Sequence, residues 1–192
     1  MRVVAFNGSA RKNGNTARMI QEVFTELDKA GIETEMVQLA GKDVHGCQAC
    51  YLCSKNKDQR CSMKGDYVNE CIEKMIDADA ILLASPTYFA DVTPEIKALM
   101  GRAGMVSRAN DDLLRHKLGA AISVARRGGA IHTFDSLNHF FLILQMIVVG
   151  SSYWNIGFGG DKGEVEKDEE AMAVMRTLGV NIAWLLERVH RA

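Results

Sequence analysis

The sequence lacks any long uninterrupted run of apolar residues. The longest candidate, FFLILQMIVVG at 140–150, is broken by Gln145, and a membrane-spanning helix needs roughly 20 apolar residues in succession. The N-terminal segment MRVVAFNGSARKNGNT lacks both the longer apolar region and the cleavage site of a secretory signal. We therefore expect a cytoplasmic protein that does not enter a membrane.

The sequence also lacks an excess of charge of either sign. Its 192 residues carry a formal net charge of −1 and no basic stripe, so we expect no nucleic acid among its partners. Apolar residues make up 47% and charged residues 24% of the chain, as in ordinary globular proteins. The length suits a single domain that buries its own core. Because repeats, low-complexity tracts and linkers are missing, we predict one domain over residues 1–192.

Apolar runs and helical apolar spacing alternate along the chain. Short β-branched or continuous apolar runs predict strands at 2–6, 34–39, 80–85, 117–125 and 146–150. Helical spacing predicts helices at 15–30 and 66–77, after Thr93 as N-cap and Pro94 as first residue, at 131–145, and from about 167 to 190. This alternation predicts an α/β three-layer sandwich whose five parallel strands have the flavodoxin-like order 2-1-3-4-5. A dinucleotide-binding Rossmann fold is the alternative.

The segment NGSARKNGNT at 7–16, between the first strand and the first helix, has the composition of an anion-binding loop. A helix N-terminus presents free N–H groups and the positive end of the helix dipole. Side-chain donors and glycines suited to this task are Ser9, Arg11, Asn15 and Thr16, with Gly8 and Gly14. The segment matches neither GxGxxG nor GxxxxGK[ST], and it predicts a monophosphate site. An ordinary strand–helix turn is the alternative.

Two further loops follow the third and fourth predicted strands. SPTYFADVTP at 85–94 carries Pro86 and the rings of Tyr88 and Phe89, whereas VARRGG at 124–129 offers backbone donors and two guanidinium groups. Since the carboxyl ends of parallel strands meet at one edge of a sheet, we expect the three loops to surround a flat ring with a phosphate tail. Taken singly, Tyr88 and Phe89 are equally typical of a rim or an interface.

The stretches GSARKNGNT, SPTYFADVTPEIKALMGRAG and SVARRGG resemble the flavin loops of the NADPH-dependent FMN reductase and iron–sulfur flavoprotein family. The resemblance extends from residue 3 to about residue 185, with Ala10 where Pro is usual and Ala90 where Gly is usual. It implies a flavodoxin-like domain that binds FMN. The residues implied are Ser9, Arg11, Asn15, Thr16 and Ala17 at the phosphate, Pro86, Thr87, Tyr88 and Phe89 beside the flavin, and Ala125, Arg126, Arg127, Gly128 and Gly129 at its other edge.

Four of the five cysteines are crowded into GCQACYLCSKNKDQRC at 46–61, within a polar insertion at about 44–64. Cys47, Cys50, Cys53 and Cys61 have the spacing C-x2-C-x2-C-x7-C. In a reducing cytosol such cysteines are more often metal ligands or redox groups than disulfides. Structural zinc usually takes two CxxC pairs a dozen or more residues apart, whereas C-x2-C-x2-C is typical of cubane iron–sulfur clusters. The spacing favours a cluster, with unligated thiols or zinc as alternatives.

The resemblance covers this run as well, because iron–sulfur flavoproteins carry a compact cysteine run after the second strand. It implies that Cys47, Cys50, Cys53 and Cys61 bind a [4Fe–4S] cluster. The fifth cysteine, Cys71, lies on the apolar face of a predicted helix, and we expect it to be buried without a ligand role.

These expectations describe an FMN-binding oxidoreductase that passes electrons between FMN and a [4Fe–4S] cluster. One alternative is an NAD(P)H-dependent FMN or quinone reductase without a cluster, and another is a flavodoxin-like electron carrier with no substrate of its own. We identify no catalytic side-chain set, since the five histidines are scattered. Only His132, at the start of a predicted helix, is placed to approach a flavin.

The resemblance also implies partners. We expect ferredoxin or NAD(P)H as the redox partner and a homodimer or homotetramer as the assembly. Residues 151–170 are rich in Gly and aromatic residues and have no clear task within one subunit. We therefore predict that they reach a neighbouring subunit or cover an edge of the flavin, with a solvated loop as the alternative.

Overall fold

The computed structural model of the protein describes residues 1–191 as alternating strands and helices. The strands are β1 (Arg2–Asn7), β2 (Glu33–Gln38), β3 (Ala80–Pro86), β4 (Leu118–Ala125), β5 (Ile147–Val148) and β6 (Ile156–Phe158). The helices are α1 (Asn15–Lys29), α2 (Leu52–Asn56), α3 (Val68–Asp77), α4 (Pro94–Ala109), α5 (Ala130–Ile143) and α6 (Glu169–Arg191), with a 3-10 helix at Glu164–Lys167. Within this part of the chain, no helix has both the length and the hydropathy to cross a membrane.

All the strands join one parallel sheet in the order β2-β1-β3-β4-β5, and β6 also pairs with β4. Val4 on β1, for example, lies between Glu35 on β2 and Ile81 on β3. This confirms the predicted flavodoxin-like order. The order brings the carboxyl ends of β1, β3 and β4 side by side, which is where open α/β sheets bind their ligands.

Helices cover both faces of the sheet. Val3 and Ala5 of β1 face the core that α1 and α6 complete. Val4 and Phe6 face the opposite core, which is completed by α3, α4 and α5. Because successive strand residues point to opposite faces and both faces are buried, the central strands are apolar over most of their length. The predicted three-layer sandwich is therefore confirmed.

The last strand of the sheet differs from the prediction. Residues 146–150 form only the two-residue β5, which pairs with the beginning of β4 at Leu118 and Gly119. The unpredicted strand β6 pairs with the end of β4, from Ser123 to Ala125. The two short strands β5 and β6, separated by the loop 149–155, thus pair with β4 where the sequence predicts one longer strand. The sequence Ile-Gly-Phe of β6 is short and contains a glycine, so it gives little strand signal.

Thr93 precedes α4 and Pro94 begins it, as predicted, but the predicted side-chain cap is wrong. Among the described residues, the buried Thr93 Oγ1 has no hydrogen-bond partner. The Thr93 amide instead donates to Ser85 Oγ at 3.0 Å. The start of α4 is therefore fixed by the backbone of Thr93 and by the end of β3.

An ion-pair network joins β1, β2 and α3. Glu35 accepts from Lys74 Nζ at 2.6 Å and from Arg2 Nη2 at 2.6 Å. The hydrogen bond from Lys74 is the largest influence on the Glu35 carboxyl, and with Arg2 it outweighs burial and lowers the pKa below the usual 4.5. A carboxyl with a lowered pKa stabilises the fold above its usual pKa and loses that contribution as the pH falls through the lowered value.

We expect Glu35→Gln to remove this part of the pH dependence. The wild type should lose about 0.5–1 kcal/mol more free energy of unfolding than the variant on acidification from pH 4.5. Urea unfolding at a series of pH values measures the difference. Glu33→Gln, on the same strand but far more exposed, is the control. Identical pH profiles for wild type and Glu35→Gln would contradict the assignment.

Candidate functional site

The loop between β1 and α1 closes tightly at the carboxyl edge of the sheet. Ser9 is buried; its amide donates to Asn7 Oδ1 at 3.0 Å, and its Oγ accepts from the Arg11 amide at 3.2 Å. A Cβ added to Gly8 would lie 2.3 Å from Ile96 Cγ1 and 2.7 Å from Thr93 Oγ1. The glycine is therefore required because the loop lies directly against the start of α4.

The first turn of α1 follows this loop and is buried. Asn15, Thr16 and Ala17 occupy it, after Gly14 in the N-cap position. Among the described residues, no side chain caps this helix end. The first amides of a helix have no acceptor within the helix, and here they remain available to an anion. This geometry suits the phosphate group that the sequence predicts at these residues.

Two of the predicted phosphate ligands have other partners in the structure. Asn15 donates through Nδ2 to the carbonyl of Asp161 at 2.9 Å and accepts at Oδ1 from the Gly163 amide at 2.8 Å. Arg11 Nη1 donates to the carbonyl of Gly160 at 2.8 Å. The segment after β6 thus lies against the predicted phosphate loop, residues 7–16, of the same chain. Backbone amides and the hydroxyls of the loop remain for a phosphate, while the Asn15 amide group positions the neighbouring segment.

The second predicted loop forms a tight turn after β3. Tyr88 and Asp91 exchange backbone hydrogen bonds of 2.9 and 3.1 Å across it. The two residues between them, Phe89 and Ala90, have φ values of 50° and 64°, a left-handed conformation that is unfavourable for a bulky residue. The Phe89 side chain is fully exposed. A strained turn that holds an aromatic ring in solvent is typical of a binding site.

The second and third loops contact each other. Gly129, with φ of 84°, lies so close to Ala90 that an added Cβ would approach the Ala90 Cβ to 3.0 Å. Thr87 hydroxyl oxygen lies 3.3 Å from Ser123 Oγ and accepts from Thr133 Oγ1 at 3.2 Å. These hydroxyls join β3, β4 and α5 beneath the loops. Ser123 and Thr133 are not predictable as site residues, because isolated hydroxyl residues give no pattern in the sequence.

The remaining predicted residues border this edge. Pro86 ends β3 and is half-buried, whereas Ala125 ends β4 and is buried. Arg126, Arg127 and Gly128 are exposed. His132 is also exposed, in the first turn of α5, and its approach to a flavin stays a prediction.

Replacing Ala90 with Gly tests the strain in the second loop. Glycine adopts the left-handed conformation at no steric cost, so we expect Ala90→Gly to raise the free energy of unfolding by about 0.5–1 kcal/mol. Thermal or urea unfolding measures this gain. Ala98→Gly, at a helical position of α4, is the matched control and should lose about 1 kcal/mol. Destabilisation of Ala90→Gly would contradict the turn geometry.

The four clustered cysteines line one small cavity beside α4. The wall includes Cys47, Cys50, Cys53 and Cys61, together with Arg102, Met105 and Val106. The volume of 20 Å³ has room for about one water molecule. Within residues 1–191, no three Cys, His, Asp or Glu side chains are arranged to hold a metal ion together. The fold thus brings the four thiols to the wall of one cavity, but their arrangement does not form a complete metal site.

The backbone around these cysteines has an unusual conformation. Ala49 and Tyr51, which flank Cys50, have φ values of 53° and 56°, and Lys57 and Gln59 are left-handed as well. The Ala49 amide donates to Cys47 Sγ at 3.4 Å. Residues other than glycine rarely adopt this conformation, and where they do it often marks a functional loop.

The pKa values of Cys50 and Cys71 are shifted in opposite directions. A hydrogen bond with Ser62, and then one with the Leu52 backbone, lower the pKa of Cys50 and favour its thiolate. Cys71, in contrast, lies in the core between sheet and helices. Burial first, and then the charge of Glu70, raise the pKa of Cys71 to about 12. This thiol therefore stays protonated at neutral pH, which supports its exclusion from the ligand set.

The chain is similar in sequence to a known protein family and in fold to solved structures. Residues 1–161 match the family model described as NADPH-dependent FMN reductase. An iron–sulfur flavoprotein of Methanocaldococcus jannaschii is 34% identical, over 100% of both chains. One of Methanosarcina thermophila is 32% identical over 100% of this chain and 98% of its own. The crystal structure of RosB with a bound formylated riboflavin phosphate has a TM-score of 0.74 at 17% identity, covering 100% of this chain and 81% of that one.

Proposed function

The chain belongs to the NADPH-dependent FMN reductase family of flavodoxin-like oxidoreductases, and we propose that it carries a [4Fe–4S] cluster beside FMN and passes electrons between them. FMN exchanges electrons singly or in pairs, whereas a cluster exchanges them singly. The observation that carries the proposal is the single cavity lined by Cys47, Cys50, Cys53 and Cys61. The names of the full-length relatives support it.

The residues at the carboxyl edge of the sheet fit FMN. The uncapped first turn of α1 offers amides for the phosphate, and Gly8 and Gly14 let the loop pack where a Cβ would clash with Ile96 and Arg11. Phe89 and Tyr88, in the strained turn, are exposed and would present aromatic surface to the flavin ring. Arg126 to Gly129 would border its other side. The protein's task at this site is to bind, orient and shield the cofactor.

The cysteine segment fits a cluster in ligand type and number. Four thiols line one cavity, and four cysteines are the ligand set of a cubane iron–sulfur cluster. The cavity of 20 Å³ is too small for a cluster. Because Cys47 and Cys50 are exposed, we propose that their side of the loop moves outward when the cluster binds.

Helix α4 connects the two proposed cofactor sites. It begins at Pro94, just beyond the strained turn, and its residues Arg102, Met105 and Val106 line the cysteine cavity. At a rise of about 1.5 Å per residue, those residues lie about 12–18 Å along the axis from the helix start. Electrons would thus pass between two sites that lie near opposite parts of the same helix.

Partners and location are further parts of the proposal. We propose ferredoxin or NAD(P)H as the electron donor, a homodimer or homotetramer as the assembly, and the cytoplasm as the location. A cluster-free NAD(P)H-dependent reductase is the second candidate, favoured by the name of the matching family model. If the purified protein requires NAD(P)H for activity and contains no iron, this second candidate is favoured over the first.

Anaerobic purification followed by visible spectroscopy, with iron and sulfide assays on the same sample, tests the proposal. We expect flavin bands, a broad shoulder near 400 nm, and about four irons and four sulfides per chain. Cys50→Ser should lose most of the iron but keep FMN. Cys71→Ala, which alters a buried cysteine away from the cavity, should retain both. A flavin spectrum without iron in the wild type would overturn the cluster and favour the reductase.

A further inference from the structure

Arg102 is a completely buried cation directly against the cysteine cavity. Its side chain has a relative exposure of 0%, and it projects from the middle of α4. Its Nε donates to Cys61 Sγ at 3.3 Å, and its Nη2 donates to the carbonyl of Met63 at 3.2 Å. A guanidinium is always charged, so a positive charge is held permanently beside one of the four thiols.

The partners of Arg102 fix it in this place. Nη1 forms an ion pair with Asp66, which is also buried, and donates to the carbonyl of His45 at 3.3 Å. The cation therefore ties both ends of the cysteine-rich insertion to α4. Burial of such a pair is costly unless its hydrogen bonds are satisfied, as they are here.

Cys61 is held by side chains from outside the insertion, unlike Cys47 and Cys50. Asn69 on α3 accepts from the Cys61 amide at 2.8 Å and donates to the Cys61 carbonyl at 2.9 Å. With the bond from Arg102, the amide, the carbonyl and the sulfur of Cys61 all have side-chain partners. Cys47 and Cys50, in contrast, make their sulfur contacts within the insertion itself.

From this arrangement we infer that Arg102 is a positioning residue that sets the reduction potential of the cluster through Cys61. The inference rests on the proposed function, since it needs a cluster at the four cysteines. Reduction adds one electron to the cluster from a low-potential donor such as dithionite, and no bond forms or breaks. A fixed buried cation, donating a hydrogen bond to a ligand sulfur, stabilises the added negative charge and raises the potential. Asp66 opposes this effect because its charge has the opposite sign.

Two variants should therefore shift the potential in opposite directions. Asp66→Asn leaves the cation uncompensated, so the reduced-to-oxidised ratio at a fixed solution potential should rise about tenfold, or about 59 mV for one electron. The double variant Arg102→Gln with Asp66→Asn removes both charges without leaving either unpaired. It also loses the charged hydrogen bond to Cys61, so the ratio should fall below that of the wild type.

Potentiometric titration of the anaerobically purified protein, followed by visible and electron paramagnetic resonance spectra, measures these shifts. Arg108→Gln, an exposed arginine on the same helix, is the matched control and should leave the potential unchanged. Opposite shifts in the two variants support the inference, because a merely structural role does not predict them. If the double variant loses its iron, Arg102→Lys takes its place: it keeps the cation but loses the Nε–H donor to Cys61 Sγ, so its potential should still fall below that of the wild type.

The outcomes separate the inference from the proposed function. A wild-type protein without iron overturns both. If the wild type contains iron, and both Asp66→Asn and the double variant have the same reduction potential as the wild type, only the role of Arg102 is overturned. Shifts of the same sign in both variants also overturn it.

Discussion

Gly8→Ala should lower the affinity for FMN by about 10- to 100-fold. The added Cβ would lie 2.3 Å from Ile96 Cγ1, so either the phosphate loop or the start of α4 has to shift. Overpacking of this kind typically costs about 1–3 kcal/mol, and about 1.4 kcal/mol corresponds to tenfold in affinity. Quenching of flavin fluorescence during titration of the apoprotein measures the dissociation constant.

Two further variants test whether the effect of Gly8→Ala comes from the clash with Ile96. Gly150→Ala adds a methyl group where there is no heavy atom within 4 Å in the structure described here, and it should bind FMN like the wild type. Adding Ile96→Ala to Gly8→Ala removes the clashing Cγ1, so affinity should partly return even though the core loses stability. Unchanged affinity in Gly8→Ala would show that FMN does not depend on this loop.

Asn15→Ala should release the segment after β6 from the phosphate loop. Asn15 is buried and joins α1 to Asp161 and Gly163, and the truncation leaves their backbone groups without this partner. We expect a loss of about 1–3 kcal/mol in the free energy of unfolding. Amide hydrogen exchange should accelerate at 159–165 while exchange in the core of α1 changes little.

Hydrogen exchange also distinguishes this structural role of Asn15 from direct phosphate binding. Asn13→Ala, at an exposed position of the same loop, is the control and should change neither stability nor exchange. If Asn15 served only as a phosphate ligand, Asn15→Ala would weaken FMN binding but leave exchange at 159–165 of the apoprotein unchanged. That result would contradict the assignment made from the hydrogen bonds.

Much of the fold could be predicted because its signals are local and repeated. The buried strands β1, β3 and β4 are continuous apolar runs, and the apolar spacing of α1 identifies its buried face. Glycine or proline marks several element ends, as at Gly31 after α1 and Pro94 at the start of α4. Strand–helix alternation then leaves few possible sheet orders. The loops at the carboxyl edge follow from that order.

The features that could not be predicted depend on contacts between distant residues. The sequence near Asn15 contains nothing to show that its amide group bonds to residues almost 150 positions later, at separations of 146 and 148. Arg102 lies in an otherwise ordinary helix, and its burial depends on Asp66 and the cysteine insertion. The short helix α2, at Leu52–Asn56, lies in a segment whose polar residues predict only a connection.

The division of the last strand into β5 and β6 also affects how the protein resists aggregation. Long, flat edge strands template pairing with other chains, and short or interrupted edges do not. Beyond β4 the edge consists of two residues and then three, separated by the loop 149–155. At the opposite end, β2 carries the exposed Glu33, whose charge disfavours stacking of identical strands. Self-association by sheet extension is therefore disfavoured at both ends, and contacts between copies are expected through helices and loops.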